Sequence, residues 1–166
     1  MIDPAYVRMM ARYNRWQNGN LYAAANSLSE EARRQDRGAF FKSIHATLNH
    51  LLWADRLWMS RLANLPKPRG GIFESTCSIE DWAQLKHERA IFDECLVDWS
   101  VKLDTAMIGG DLTWQSVSLN TQVKRPRSTA IVHMFNHQTH HRGQVHAMLT
   151  AAGAKPSDTD LIMMQE

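Results

Sequence analysis

His133-Met134-Phe135-Asn136-His137-Gln138-Thr139-His140-His141-Arg142-Gly143-Gln144 is the run on which the reading of this chain depends. Met134, His137, His141, Val145 and Met148 follow one another in steps of three and four, the pattern of one inward face of an α-helix. Ser128 or Thr129 is placed to cap that helix, and Gly153 followed by Pro156 to end it near residue 152.

Three more helices are expected upstream. The first spans residues 4–27, with Asp3 as N-cap and Pro4 at the first position, where no N–H partner is needed. Its stripe is Tyr6, Met10, Tyr13, Gln17, Leu21, Ala24 and Leu28, broken only by Gln17. Asp36-Arg37-Gly38 reads as a turn. The second helix spans residues 43–63 and carries two apolar stripes, Ile44/Leu48/Leu51/Asp55/Trp58/Leu62 and His50/Trp53/Ala54/Leu57. A helix apolar on two sides is buried on two sides. Pro66, Pro68, Gly70 and Gly71 mark the loop that follows.

Ser78-Ile79-Glu80-Asp81 resembles a capping box and opens a third helix, expected to reach about residue 107 before Gly109-Gly110. Its stripe of Trp82, Leu85, Arg89, Phe92, Leu96, Trp99 and Leu103 alternates steps of three and four, as in helix bundles. Residues 112–123 alternate loosely and read as a short hairpin or extended loop, and the tail from Ser157 as partly ordered at most. The sum is one all-α domain over residues 1–166, a four-helix bundle with a long crossover loop.

Composition narrows the function. The 166 residues, 44% hydrophobic and 22% charged, suit one domain that folds without staples. Net charge is +2 and the densest basic run, Lys124-Arg125-Pro126-Arg127, is short, which argues against nucleic acid as a partner. Cys77 and Cys95 form no Cys-x-x-Cys, so neither a disulfide scaffold nor a cysteine zinc site is indicated. Asp3, Arg8, Arg12 and Arg15 interrupt any signal-peptide core, and no apolar run approaches the roughly 18 residues of a membrane span. A cytoplasmic protein with no membrane partner is expected.

Five of the eight histidines lie between residues 133 and 146. His137 and His141, four apart on a helix, sit about 40° apart around its axis with Cβ atoms roughly 5–6 Å apart, close enough to converge on one metal. The same spacing occurs in His-Glu-x-x-His zinc proteases, but Gln138 stands where the catalytic glutamate would be, which argues against peptide hydrolysis. Pairs His133/His137 or His137/His140 are other registers for a site. A histidine pair on a helix is more often solvated or hydrogen-bonded than metal-bound, so a third ligand decides the matter. His50, on the buried second helix, is the best third candidate; His45 and His87 are weaker, and His146 is off the line.

Asn49-His50-Leu51-Leu52-Trp53-Ala54-Asp55-Arg56-Leu57-Trp58, followed by Asn136-His137-Gln138-Thr139-His140-His141-Arg142-Gly143-Gln144, resembles the DinB family of damage-inducible bacterial proteins. The resemblance runs from the first helix to Asp160 and is most specific in the second motif. It implies a DinB/YfiT-like four-helix bundle, a homodimer, and one divalent metal ion per chain, nickel or zinc, held by His50, His137 and His141. It also implies kinship with thiol-dependent transferases and a thiol-dependent isomerase. The lesion-bypass polymerase of similar name is a larger, carboxylate-dependent enzyme that this chain does not resemble.

Three neutral imidazoles leave a metal its full charge and open positions for water or a thiol. The leading expectation is a metal-dependent enzyme acting on a small molecule, thiol transferase-like or hydrolase-like, with a low-molecular-weight thiol as partner. The alternative is a non-catalytic metal-binding bundle with a structural or stress-sensing role. Asp55 is a candidate proton acceptor or orienting group, or else a buried carboxylate paired with an arginine such as Arg12 or Arg142. Arg142 is a candidate for binding an anionic substrate, and Asn49 and Gln144 for hydrogen bonds behind the ligands. No general acid or base is identified.

Overall fold

The Asp3 carboxylate accepts from the Tyr6 N–H at 2.8 Å, so helix α1 (Pro4–Asn26) begins at the cap and proline that predicted it. The computed structural model describes residues 2–116 and 120–165. Among them α1 is followed by α2 (Glu30–Arg34), α3 (Ile44–Leu62), α4 (Trp82–Lys102), α5 (Thr105–Ile108), strands β1 (Asp111–Ser116) and β2 (Thr121–Pro126), and α6 (Arg127–Ala151). The chain is thus mostly helical with one small antiparallel sheet, in which Asp111 pairs with Pro126 and Ser116 with Thr121. Residues 117–119 of the expected hairpin lie outside the described residues. Among the described residues no helix is long and apolar enough to cross a membrane.

Side-chain contacts give the helix directions. Asn14 and Asn18 of α1 meet Asp93 of α4, and Asn26 meets Trp82, so α1 and α4 run antiparallel. Tyr6 meets Phe135 and Asn14 meets Arg142, so α1 and α6 run parallel. His50 meets His137, Asp55 meets Gln138 and Trp58 meets His133, so α3 and α6 run antiparallel. His45 meets Trp82 and Asp55 meets Arg89, which sets α3 parallel to α4. The fully buried Leu48, Leu52, Leu85, Leu96, Met134 and Phe135 fill the space between these four helices. Burying side chains of this kind is worth about 1.5–3 kcal/mol each, and it is this term that holds the helices together.

Four expectations are corrected. Helix α4 stops at Lys102, because Asp104 starts a separate turn by accepting from the Met107 N–H at 2.8 Å; the expected single helix to residue 107 is two. Helix α6 starts at Arg127 without a side-chain cap: β2 leads straight into it, and the Arg127 N–H is satisfied by the Gly110 carbonyl at 2.9 Å. The buried face of α1 is wider than the predicted stripe: Tyr13, Gln17 and Leu21 of that stripe are buried, and Val7, Ala11, Asn14, Asn18, Tyr22 and Ala25 are buried with them, Asn14 and Asn18 being held inward by Asp93. The tail is held rather than loose: the Tyr13 hydroxyl donates to the Thr159 carbonyl at 2.5 Å, and the Gln17 amide, the one break in the predicted stripe, donates to the Asp158 carbonyl at 3.1 Å. Gly153, with φ of 81°, ends α6 in the left-handed conformation expected there.

Candidate metal centre

His50 from α3 and His137 and His141 from α6 bring one nitrogen each to within 4.8 Å of one another. The i,i+4 spacing on α6 puts two rings on one face, with centroids 4.4 Å apart, and the antiparallel α3 brings the third against them. His50 is 3% and His141 7% exposed, while His137 is half-buried.

The hydrogen bonds behind the rings decide which nitrogens face inward. The Ser75 hydroxyl donates to the Ile72 carbonyl at 2.6 Å, so it accepts from His50 Nδ1–H at 2.9 Å. The Gln144 carbonyl oxygen accepts from His141 Nδ1–H at 2.8 Å, while its amide nitrogen donates to His140 at 3.3 Å. Both rings therefore carry their proton on Nδ1 and present an unprotonated Nε2. His50 Nε2 and His137 Nε2 lie 3.3 Å apart. Two nitrogens at about 2.0–2.1 Å from a tetrahedral ion are separated by about 3.3 Å, so this pair fits a metal.

Burial keeps the rings neutral. It pushes His50 down to about 4, with the neighbouring His141 acting in the same direction. It pushes His137 down to about 3, helped by His141, His50, His133 and His140. His141 is also lowered by burial, against a rise from its bond to Gln144. Neutral imidazole is the ligating form, so no proton competes with a cation near neutral pH.

These shifts make the metal-free protein acid-sensitive. Both histidines bind protons more tightly unfolded, at the ordinary value of 6.5, than folded. The stability these groups contribute is complete above that value and is lost as the pH falls through about 4 for His50 and about 3 for His137. Thermal unfolding with chelator at about pH 7.5 and about pH 4.5 measures this, and His50→Gln is expected to shrink the difference between the two.

Two residues of the centre were not found from sequence. Ser75 lies in the loop between α3 and α4 and is fully buried. Phe41 sits in a tight turn closed by the Lys42 N–H to the Ala39 carbonyl at 2.7 Å, with Lys42 at φ 67°. Its ring lies 4.0 Å from that of His50 and 5.4 Å from that of His141. Neither segment has a helical period, so no pattern in the sequence marks them. Ser75→Ala is expected to weaken zinc binding about 10–100-fold by freeing the His50 ring to rotate or change tautomer. Titration against a competing chelator measures it, and Ser75→Thr is expected to restore most of the loss.

The other candidates are placed as follows. Gln144 touches the cluster. Asn49 does not: its amide donates to the His45 and Ile79 carbonyls at 3.2 and 3.0 Å, and its oxygen accepts from the Ser78 hydroxyl and the Ile79 N–H. Asp55 is 1% exposed and paired with Arg89 at 2.7 Å, not with Arg12 or Arg142, and it accepts from the Gln138 amide at 3.0 Å. Arg142 is buried and turned towards α1, donating to Asn14 and to the Thr139 hydroxyl. His45 bonds the Ile79 carbonyl, His133 rests on Trp58, and His87 is exposed; none joins the three.

A helical protein with an all-histidine cluster able to hold one metal ion is the class that this fold and centre define. The chain belongs to the DinB family, whose model matches residues 1–166. It is 24% identical over 156 residues to Protein DinB of Bacillus subtilis (strain 168), a match that covers 89% of this chain and 87% of that one.

Proposed function

We propose that the chain is a single-domain four-helix bundle, with the loop between the parallel α3 and α4 as its long crossover, that binds one divalent metal ion through His50, His137 and His141. The observation that carries this reading is the pair of unprotonated Nε2 atoms, held from behind by Ser75 and Gln144 and facing the third ring. All-imidazole ligation suits zinc, nickel, copper and iron alike, and the family resemblance favours nickel or zinc. Bound there, the ion would supply Lewis acidity that lowers the pKa of a bound water or thiol.

The chain's own residues prepare the rest. Phe41 and Trp53 flank the His50 ring with apolar surface and keep it dehydrated. Ser75 and Gln144 hold the ring tautomers. His140, exposed and bonded to the Gln144 amide, lies with its ring 4.8 Å from that of His141 at the outer side of the cluster. A metal-dependent enzyme acting on a small molecule, with a low-molecular-weight thiol as co-substrate, is the activity we favour. The family resemblance supports the thiol, a homodimer, a cytoplasmic location and a role in stress response.

A second reading has an observation of its own. Asp55, the carboxylate of the sequence motif, is already held by Arg89 and Gln138 and is not free to act as a base. That favours a non-catalytic metal-binding bundle. Elemental analysis of tag-free protein, followed by a thiol and electrophile screen on metal-loaded and metal-free samples, separates the readings. Bound metal with metal-dependent turnover supports the enzyme; bound metal with no turnover, and a large loss of thermal stability on chelation, supports the second reading. No metal after incubation with zinc and nickel overturns both.

A further inference from the structure

A cavity of about 570 Å³ lies between the loop after α3 and the outer side of α4, and shares none of the three clustered histidines. It falls within the roughly 300–1,000 Å³ of ligand pockets. Trp53, Leu65, Ile91 and Phe92 give it an apolar wall, and Ile91 is 53% exposed, an uncovered aliphatic side chain beside a ready cavity. Its charged lining is entirely cationic: Arg56, Lys67 and Arg69. Arg56 is claimed by Glu88 at 2.5 Å. Lys67 and Arg69 have no ion-pair partner among the described residues.

The loop that carries these two cations is stiff. Pro66 and Pro68 flank Lys67 and fix its backbone neighbours. The Trp53 indole N–H donates to the Arg69 carbonyl at 2.9 Å and ties the loop to the apolar wall. The backbone that carries the cations is therefore fixed beside an apolar wall before any ligand arrives, which lowers the ordering cost of binding.

We propose that this cavity binds a small organic anion with an apolar body, the body against Trp53, Ile91 and Phe92 and the anionic head at Lys67 and Arg69. The site adjoins the histidine cluster through Trp53 but includes none of the three histidines, and it does not rest on their binding a metal. Cys95 lines the cavity and reports on its occupancy.

Decanoate is the probe, with the neutral decanamide as its control, on a Cys77→Ser background in which Cys95 is the single remaining thiol. Calorimetry is expected to show saturable binding of one decanoate per chain, and iodoacetamide to alkylate Cys95 more slowly as decanoate is added. Lys67→Ala combined with Arg69→Ala is expected to weaken binding about tenfold or more, as loss of charged hydrogen bonds does. Both side chains are exposed, and Trp53 bonds the Arg69 backbone, so the fold is expected to survive. Decanamide is expected to bind as weakly as decanoate does to the double variant. Absence of saturable binding at millimolar decanoate, binding without protection of Cys95, or equal affinity in the double variant would each overturn the proposal.

Discussion

His137→Ala is expected to leave the protein folded and unable to retain the metal. The parent, freed of any affinity tag, is expected to carry about one nickel or zinc per chain. His137 is the half-buried member of the cluster, and its Nε2 lies 3.3 Å from that of His50. Removing it takes away one of three ligands and leaves two rings that cannot enclose an ion. The loss in affinity is expected to exceed the roughly 10–100-fold of a changed orienting partner such as Ser75. The fold is expected to tolerate the change because the packing of α6 rests on Met134, Phe135, Val145 and Leu149, which are buried against the other helices. Elemental analysis with circular dichroism on both proteins is the measurement. Equal metal content in parent and variant would remove His137 from the site.

Arg89→Met is expected to produce the largest fall in stability. Arg89 is 2% exposed and donates to Asp55 and to Asp93, each at 2.7 Å. Asn14 and Asn18 donate to the same Asp93, and Gln138 to Asp55, so one guanidinium ties α3 to α4 while its carboxylate partners reach α1 and α6. Removing it leaves two buried carboxylates uncompensated, a loss of about 3–5 kcal/mol. For a chain of this size that is a fall of about 10 °C or more in Tm.

The pH dependence identifies the cause. Burial already raises the Asp93 carboxyl, and Arg89 is the chief group opposing the rise. Without Arg89 it rises further, so the folded variant is favoured by protonation. Its deficit against the parent is expected to narrow as the pH falls from about 7 to about 5. Thermal unfolding at the two values measures it, and a deficit that is constant with pH would assign the loss to packing instead.

The network also joins the two helices that carry the histidine cluster. Gln138, which reaches Asp55, is flanked in sequence by His137, and Asp55 lies on the helix that carries His50. The pairing of Asp55 with Gln138 thus sets the register in which α3 presents His50 to α6. A carboxylate that the sequence offered as an orienting group for the ligands is read better as a group that orients the helices.

The long helices were legible because each carries its own signals. Asp3 and Pro4 start α1, Ser43 caps α3 by accepting from Ala46 N–H, and Gly153 ends α6. The i,i+4 spacing of His137 and His141 was legible for the same reason, since a helix converts spacing into direction. The burial of Asn14 and Asn18 in α1 was not, because both look like surface residues until Asp93 is opposite them.

By itself the sequence determined where the four long helices lie, the placing of two histidines on one helical face, and membership of the family, all properties of local period and of residues read in order. Tertiary structure alone decided that Arg89 is the partner of Asp55, that Ser75 and Gln144 fix the histidine tautomers, that Phe41 covers His50, and that Lys67 and Arg69 stand beside an apolar wall. Ser75 and His50 are 25 residues apart, and Asn14 and Asp93 are 79 apart. Such pairs are chosen by which surfaces meet once the helices have packed. Hydrophobic burial drives that packing without direction, and the polar groups it encloses then take whichever partners lie within hydrogen-bonding reach.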